Sequence, residues 1–361
     1  MSDNDFVTLG AIVKAAQERL TPQKWDALIG AAETETTLKR NRLALDSLAF
    51  RPRVLRDMRH VDMTSTLWGA AMHIPVMLAP VGSLASLHPD GGPAAAKAAE
   101  EFGTIKILSS ASLKDFKIEV VRAASKAPMI FQLYVRDSDD WVIAQFKKAK
   151  DLGFMGICLT LDTAANGQRE RELMYGRDRR KVDPKSEEAS LGVTWDLVRK
   201  VRDGIDLPLV LKGLATAEDA EIAVQEGIEG VYISNHGGRN MDFGRGAIDV
   251  LPEVVAVAKG KAKIVVDGGI CRGSDVIKAI ALGADAVAIG KLQGWGMAAG
   301  GQAGVVAVLK LLEAEMKANM ILLGADRLDK LNPGCVEKVT PTVEPTVVAA
   351  FPQYDIPLAK Y

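Results

Sequence analysis

The sequence is short of the residues that build several common kinds of site. Its 361 residues include only three cysteines, at positions 158, 271 and 335. Their wide spacing matches neither a paired zinc-ligand pattern nor a disulfide framework. Isolated cysteines are typical of a reducing compartment, so we expect a cytoplasmic protein without a metal site.

Charge of one sign and long apolar runs are also missing. Lysine and arginine total 45 against 46 acidic residues, which gives a formal net charge of -1 and disfavours nucleic-acid binding. No run approaches the roughly 18 uninterrupted apolar residues of a membrane-spanning helix. The polar residues 1–5 do not resemble a signal peptide. We interpret the short basic run 177–181 as a solvated loop, with phosphate or nucleic-acid contact as the alternative.

What the sequence does contain, from about residue 75, is one repeated unit: a short apolar run, a polar or glycine-rich turn and a helical stretch. The eight runs are 75–80, 105–109, 129–134, 156–160, 209–212, 230–234, 263–267 and 286–290. Apolar strands that alternate with helices indicate a parallel sheet covered on both faces. Eight such units predict an α/β protein with a closed (β/α)8 TIM barrel, and a doubly wound open sheet is the alternative.

The sequence divides into three regions on this interpretation. Residues 1–74 form an N-terminal helical extension, 75–325 form the barrel and 326–361 form a C-terminal tail. The charged stretch 177–192 lacks an apolar period and is a candidate mobile loop over the site. The proline-rich tail from residue 341 is expected to lie on a neighbouring subunit or to hang loose.

Polar residues follow nearly every predicted strand, at the barrel end where active sites lie. They are Ser109, Gln132, Tyr134, Thr160, Asp162, Lys212, Ser234, His236, Arg239, Asp267 and Lys291. A strand-end hydrogen bond explains any one of these residues, but it explains the whole ring poorly. The ring therefore predicts an active site.

The segment 234–239, with sequence Ser-Asn-His-Gly-Gly-Arg, is the most informative part of that ring. Histidine changes charge near neutral pH, and arginine binds a carboxylate through two parallel hydrogen bonds. A base beside a carboxylate-binding group favours an enzyme that acts on a small organic acid.

Two glycine-rich turns, at 267–273 and 289–291, follow the last two predicted strands, where such barrels often bind phosphate. The neutral polar residues Ser109, Gln132 and Thr160 suit a heteroaromatic ring. Lys212 adds a fixed positive charge, which suits a flavin because the reduced ring carries negative charge. Lys212 is also compatible with an imine-forming aldolase or isomerase, or with a simple ion pair.

With these motifs assembled, the sequence resembles the FMN-dependent α-hydroxy-acid oxidase and dehydrogenase family, which includes glycolate oxidase, lactate oxidase and mandelate dehydrogenase. The resemblance extends from about residue 25 to 325. The matching motifs are at 51–57, 88–91, 131–135, 159–163, 211–213, 234–239 and 267–270. So many matches in order make accidental similarity a poor explanation.

The resemblance implies FMN as cofactor and oxidation of a small 2-hydroxy acid to the 2-oxo acid. His236 would be the base, held by Asp162, and Tyr134, Arg169 and Arg239 would bind substrate. The implied FMN-binding residues are Pro80, Val81, Gly82, Ser109, Gln132, Thr160, Lys212, Ser234, Asp267, Gly268, Gly269, Cys271, Gly290 and Lys291. A homotetramer and an electron acceptor that is O2 or a soluble or quinone compound are implied in the same way.

Three positions depart from the family pattern. Ala27 stands where the family carries a substrate-binding tyrosine, so a larger, amine or otherwise non-standard substrate is an alternative. Cys271 and Lys291 stand where the family usually has phosphate-facing arginines, so we expect weaker FMN binding. A non-redox barrel enzyme or a binding protein is the remaining alternative.

Overall fold

The computed structural model describes residues 6–178 and 180–358. The chain begins with three helices and three short strands. They are α1 (Leu9–Arg19), α2 (Pro22–Ile29), α3 (Thr36–Asp46), β1 (Leu48–Phe50), β2 (Ser65–Leu67) and β3 (Ala70–Met72). The hydroxyls of Thr8 and Thr21 accept hydrogen bonds from backbone N–H groups and cap α1 and α2, and Pro22 occupies the first position of α2.

A closed barrel of eight parallel strands forms the centre of the protein. The strands are β4 (Val76–Leu78), β5 (Lys106–Ser109), β6 (Met129–Leu133), β7 (Gly156–Thr160), β8 (Leu209–Leu214), β9 (Gly230–Ile233), β10 (Lys263–Val266) and β11 (Ala286–Ile289). Each coincides with one of the eight apolar runs, and β11 pairs with β4 to close the barrel. The predicted TIM barrel is confirmed, and the open-sheet alternative is wrong.

Helices follow the barrel strands and cover the outside of the sheet. They are α4 (Leu84–Leu87), α5 (Gly91–Phe102), α6 (Ile118–Ala123), α7 (Asp139–Asp151), α8 (Glu170–Leu173), α9 (Pro184–Leu191), α10 (Trp195–Gly204), α11 (Ala217–Gln225), α12 (Ala247–Ala258), α13 (Gly273–Ala281) and α14 (Lys291–Leu323). A last strand, β12 (Val336–Lys338), pairs antiparallel with β1. Short 3-10 turns lie at Ser110–Lys114, His236–Gly238, Leu328–Lys330 and Pro333–Cys335.

The barrel has its own interior core, and the β2–β3 hairpin closes the end opposite the predicted site. Leu67 and Met72 of this hairpin pack with inward side chains of the strands, among them Ile107 and Val265. The indole N–H of Trp68 donates to the Glu229 carbonyl at 3.1 Å. One end of the barrel is therefore filled, which leaves the C-terminal strand ends for a ligand.

Helix α14 is long and apolar enough to cross a membrane by length and composition alone. It packs instead in the protein core, where Met297, Leu309 and Met316 are fully buried. Its neighbours include α1, α5 and α13. Its apolar composition follows from this position as a central core helix.

Two expectations about irregular segments need correction. The stretch 177–192 contains a helix, α9, which no apolar period reveals because none of its residues is buried. The tail neither hangs loose nor needs a neighbouring subunit, because Val347, Phe351 and Ile356 are buried against this chain's own core. The division into regions 1–74, 75–325 and 326–361 stays a prediction; extension, barrel and tail share one continuous core.

Candidate active site

A cavity of about 700 Å³ lies at the C-terminal ends of the barrel strands. Most of the residues that the sequence analysis selected line it: Pro80, Val81, Gly82, Tyr134, Arg169, Lys212, His236, Arg239, Asp267, Gly268, Gly269, Cys271, Gly290 and Lys291. Five others, Ser109, Gln132, Thr160, Asp162 and Ser234, do not line it. Of these, Asp162 and Ser234 contact lining residues directly.

His236 and Asp162 form a hydrogen-bonded pair. The distance between His236 Nδ1 and Asp162 Oδ1 is 2.9 Å. If Nδ1 carries the proton that this contact requires, the other ring nitrogen, Nε2, has a free lone pair and can act as a base. His236 has φ 55°, followed by Gly237 and Gly238 at 65° and 74°. Three consecutive left-handed residues make the tight turn that presents the imidazole, and the two glycines adopt it without strain.

The charges around this pair favour a neutral histidine and an ionised aspartate. Burial lowers the pKa of His236 below its usual value of 6.5, against the opposing influence of Asp162. Burial acts to raise the pKa of Asp162, but Lys212 and His236 outweigh it and lower the pKa to about 2. The imidazole is therefore ready to accept a proton, and the carboxylate stabilises the imidazolium that results.

Lys212 is a buried cation held at the end of β8. Its Nζ donates to Ser234 Oγ at 2.9 Å and lies 3.7 Å from Asp162 Oδ2. Burial disfavours the ammonium, but Asp162 and Asp267 outweigh that effect and raise the pKa of Lys212. The site therefore contains a permanent positive charge beside the base.

Arg169 and Arg239 both contact Glu172, a buried residue that the sequence analysis missed. Oε1 of Glu172 lies 3.4 Å from Arg169 Nη1 and 3.2 Å from Arg239 Nη2. Arg169 also donates to the Arg239 carbonyl, and Arg239 donates to the Gly30 carbonyl. Glu172 thus holds the two guanidinium groups side by side. We call Arg169 and Arg239 the arginine pair, and Glu172 its bridging carboxylate.

Gln132 and Thr160 do not line the cavity, but they lie at the C-terminal ends of β6 and β7, and their side chains suit a flavin ring at that end of the site. Both amide atoms of Gln132 and the hydroxyl of Thr160 are buried with no hydrogen-bond partner in the described chain. Buried polar atoms are almost always satisfied, so these atoms fit a ligand with donors and acceptors of its own. At the other end, a Cβ added to Gly290 would meet no atom within 4 Å, which leaves open space at the start of α14.

This second end, around Gly290, contains one cationic side chain, Lys291. Lys291 is the first residue of α14, and its pKa is lowered to about 7 by burial and then by the charge of Arg239. Cys271 carries no charge, because burial raises the pKa of its thiol to about 12. Arg42 lies nearby but is occupied by Asp275 at 2.7 Å. Neighbouring Arg272 pairs with Glu315. We call Cys271, Gly290, Lys291 and their surroundings the phosphate end.

Comparison with known proteins decides the family. A model described as FMN-dependent dehydrogenase matches residues 16–338. The chain belongs to this family. It is 35% identical to an L-lactate oxidase of Nostoc sp. over 88% of this chain and 94% of the relative. It is 36% identical to a glycolate oxidase of Spinacia oleracea over 88% of this chain and 92% of the relative.

Solved structures agree with this assignment. A crystal structure of mandelate oxidase superposes with a TM-score of 0.86 and 33% identity, covering 94% of this chain and all of that one. A complex of mandelate oxidase with (S)-2-phenylpropionate gives a TM-score of 0.85 and 34% identity over 94% of this chain. FMN is accordingly the cofactor of this protein, as the motifs implied. Family membership also favours flavin chemistry over the non-redox alternative.

Within this FMN-dependent dehydrogenase, Ala27 lines the cavity at the end of α2. The cavity is also bordered by charged residues of the 177–192 segment, including Arg177, Arg180 and Glu187. This segment therefore borders the site, as expected from the sequence. Arg177 also contacts Glu172, with 3.4 Å between its Nε and Oε2 of the carboxylate.

Proposed function

We propose that this protein oxidises a small 2-hydroxy acid to the 2-oxo acid, with His236 as the base. The observation that carries the proposal is the His236–Asp162 pair at 2.9 Å, in a cavity that also contains the arginine pair. This oxidation needs a base and a carboxylate-binding group in one cavity, with a carboxylate beside the base to stabilise it. The names of the relatives, which are lactate, glycolate and mandelate oxidases, support the same substrate class.

The residues divide the work as follows. Arg169 and Arg239 bind the substrate carboxylate and Tyr134 contacts the substrate, which orients the hydroxyl towards His236. His236 Nε2 takes the hydroxyl proton, and Asp162 stabilises the imidazolium. FMN, when bound, accepts the α-hydrogen and two electrons. The positive charge of Lys212 stabilises the negative charge that accumulates near the cofactor.

The remaining expectations belong to the same proposal. We infer that O2 is the electron acceptor, because the relatives are named oxidases. A soluble or quinone acceptor is the alternative. We also propose a cytoplasmic homo-oligomer, a tetramer by analogy. The three free cysteines are compatible with a reducing compartment.

A second substrate class is favoured by two observations. Ala27 lines the cavity at the position where the resemblance implied a tyrosine, which leaves room for a bulkier group. The charge of the arginine pair is already partly neutralised by Glu172. The pocket therefore accepts an amine or another non-acid substrate more readily than it would if Glu172 did not neutralise the arginine pair.

An anaerobic absorbance titration tests the proposal. Flavin bands that bleach with 2-hydroxy acids of increasing size support it and define the size of the substrate. Bleaching only by amines moves the assignment to the second class. His236→Ala is expected to bind FMN and to lose reduction by substrate, whereas the exposed control His60→Ala keeps it. Reduction of His236→Ala at the parent rate would show that His236 is not the base.

A further inference from the structure

The C-terminal tail reaches the cofactor cavity of its own chain. Thr346 and Val347 line the same cavity as Cys271, Lys291 and Trp295. Val347 is buried, and the hydroxyl of Thr346 makes no hydrogen bond within the described residues. The tail therefore forms part of the wall of the cavity.

Phe351 fixes this part of the tail to the two loops of the phosphate end. Its ring is 1% exposed and lies edge-on to Trp295, with centroids 6.0 Å apart at 83°. The guanidinium of Arg272 lies 6.0 Å from the Phe351 ring centroid. Trp295 follows Lys291 by one turn of α14, and Arg272 follows Cys271 directly. Phe351 therefore anchors the tail, four residues after Val347, to the helix and the loop that carry Lys291 and Cys271.

Two contacts fix the tail beyond Phe351. The Leu358 carbonyl accepts from Arg171 Nη1 at 2.7 Å. The Tyr354 hydroxyl bonds Thr8 Oγ1, and its ring covers Gly10, where an added Cβ would lie 2.3 Å from the ring. The tail is consequently held, from Phe351 onwards, by buried or hydrogen-bonded groups.

The phosphate end has one cationic side chain where the resemblance implies two arginines. A phosphate monoester presents about two negative charges and three acceptor oxygens. Cys271 is neutral, and Lys291 supplies one ammonium. The indole Nε1 of Trp295 is buried with no partner in the described chain, so it is a donor without an acceptor.

We propose that the tail is part of the FMN site. Thr346 and Val347 close the cavity at the phosphate end, and the Thr346 hydroxyl and the Trp295 indole N–H serve as phosphate donors. They replace the two arginine guanidinium groups that the family resemblance implies at positions 271 and 291. This inference depends on the family's cofactor and not on the identity of the substrate.

The experiment compares the binding of FMN with that of riboflavin, which lacks the phosphate, by fluorescence titration of the apoprotein. Val347→Glu places a carboxylate at the phosphate end and is expected to raise the Kd of FMN about 100-fold while riboflavin changes little. Val343→Glu, at a 39% exposed position of the same tail, is the matched control and is expected to change neither Kd.

Thr346→Val removes only the hydroxyl and is expected to raise the Kd of FMN roughly tenfold, as for a hydrogen bond to a charged group. Riboflavin binding is expected to stay at the parent value, and Thr346→Ser is expected to restore FMN binding. Thermal unfolding of each apoprotein verifies that the variants fold. Equal losses for FMN and riboflavin, or no loss for either, would each overturn the proposal.

Discussion

The two ends of the cavity satisfy their charges in different ways. We call the region of Lys212, the His236–Asp162 pair and the arginine pair the ring end. There, Asp162 is paired with His236 and Lys212, and Glu172 bridges the arginine pair. At the phosphate end, Lys291 forms no ion pair with any residue that the structure describes. The first arrangement is complete within the protein, whereas the second lacks an anion.

This difference separates two properties of the enzyme. Charges that are fixed in advance lower the barrier to reaction, because the protein does not reorganise when charge develops. A cation without a partner in the protein contributes instead to the binding of an anionic ligand. We therefore expect changes at the ring end to alter rate with little effect on FMN occupancy. Changes at the phosphate end should do the reverse.

The largest effect is expected for Asp162→Asn. The amide no longer stabilises the imidazolium of His236, so kcat/KM should fall about 10³-fold or more. Because Asp162 acts to raise the pKa of His236, its loss lowers that pKa further. Activity is lost as pH falls through the pKa of the base, so the acid limb of the kcat/KM profile should move to lower pH.

FMN content, measured by absorbance, is the control for Asp162→Asn. It should stay at the parent level, because Asp162 does not line the cavity. A variant with the parent rate, or one that loses its flavin together with its activity, would contradict the separation of the two ends.

The next largest effect is expected for Lys291→Met. Loss of the ammonium should raise the Kd of FMN about 100-fold, as for a charge-assisted hydrogen bond to phosphate. At saturating FMN, kcat should stay near the parent value. Fluorescence titration of the apoprotein gives the Kd, and riboflavin is the control ligand that should bind equally well to both proteins.

The pH dependence of FMN binding tests whether the Lys291 ammonium binds the phosphate. The pKa of Lys291 is about 7 without the cofactor, and a bound phosphate raises it. Above pH 7, FMN binding must therefore take up a proton, and the Kd should rise with pH by up to about tenfold per unit. Lys291→Arg remains charged throughout and should remove this dependence between pH 7 and 9. A parent Kd that is constant over that range would contradict the assignment.

The sequence predicted the ring end better than the phosphate end for a physical reason. Barrel strands are continuous apolar runs, and the polar residues that follow them converge at one end of any such barrel. Asp162, Lys212 and His236 follow from this convergence without knowledge of tertiary contacts. Arg239 follows from the same convergence, whereas Arg169 is implied only by the family resemblance.

Residues that depend on packing between distant segments were missed. Glu172 lies on a four-residue helix and looks like one more surface charge in the sequence. The tail has the prolines of a linker, and nothing local shows that Phe351 is buried against Trp295. Helix α9 was missed because it has no buried face, although Asp183 and Pro184 form a recognisable helix start.

The smallest of these effects is expected for Glu172→Gln. This variant tests whether the negative charge of Glu172 weakens the binding of a substrate carboxylate to the arginine pair. The amide keeps an acceptor oxygen for both guanidinium groups, but it removes the negative charge that competes with a substrate carboxylate. The KM for small 2-hydroxy acids should therefore fall about fivefold, which corresponds to about 1 kcal/mol of binding free energy. Glu172→Ala loses the bridge as well and should raise the KM instead. If both variants raise it equally, Glu172 only positions the arginine pair and its charge does not oppose substrate binding.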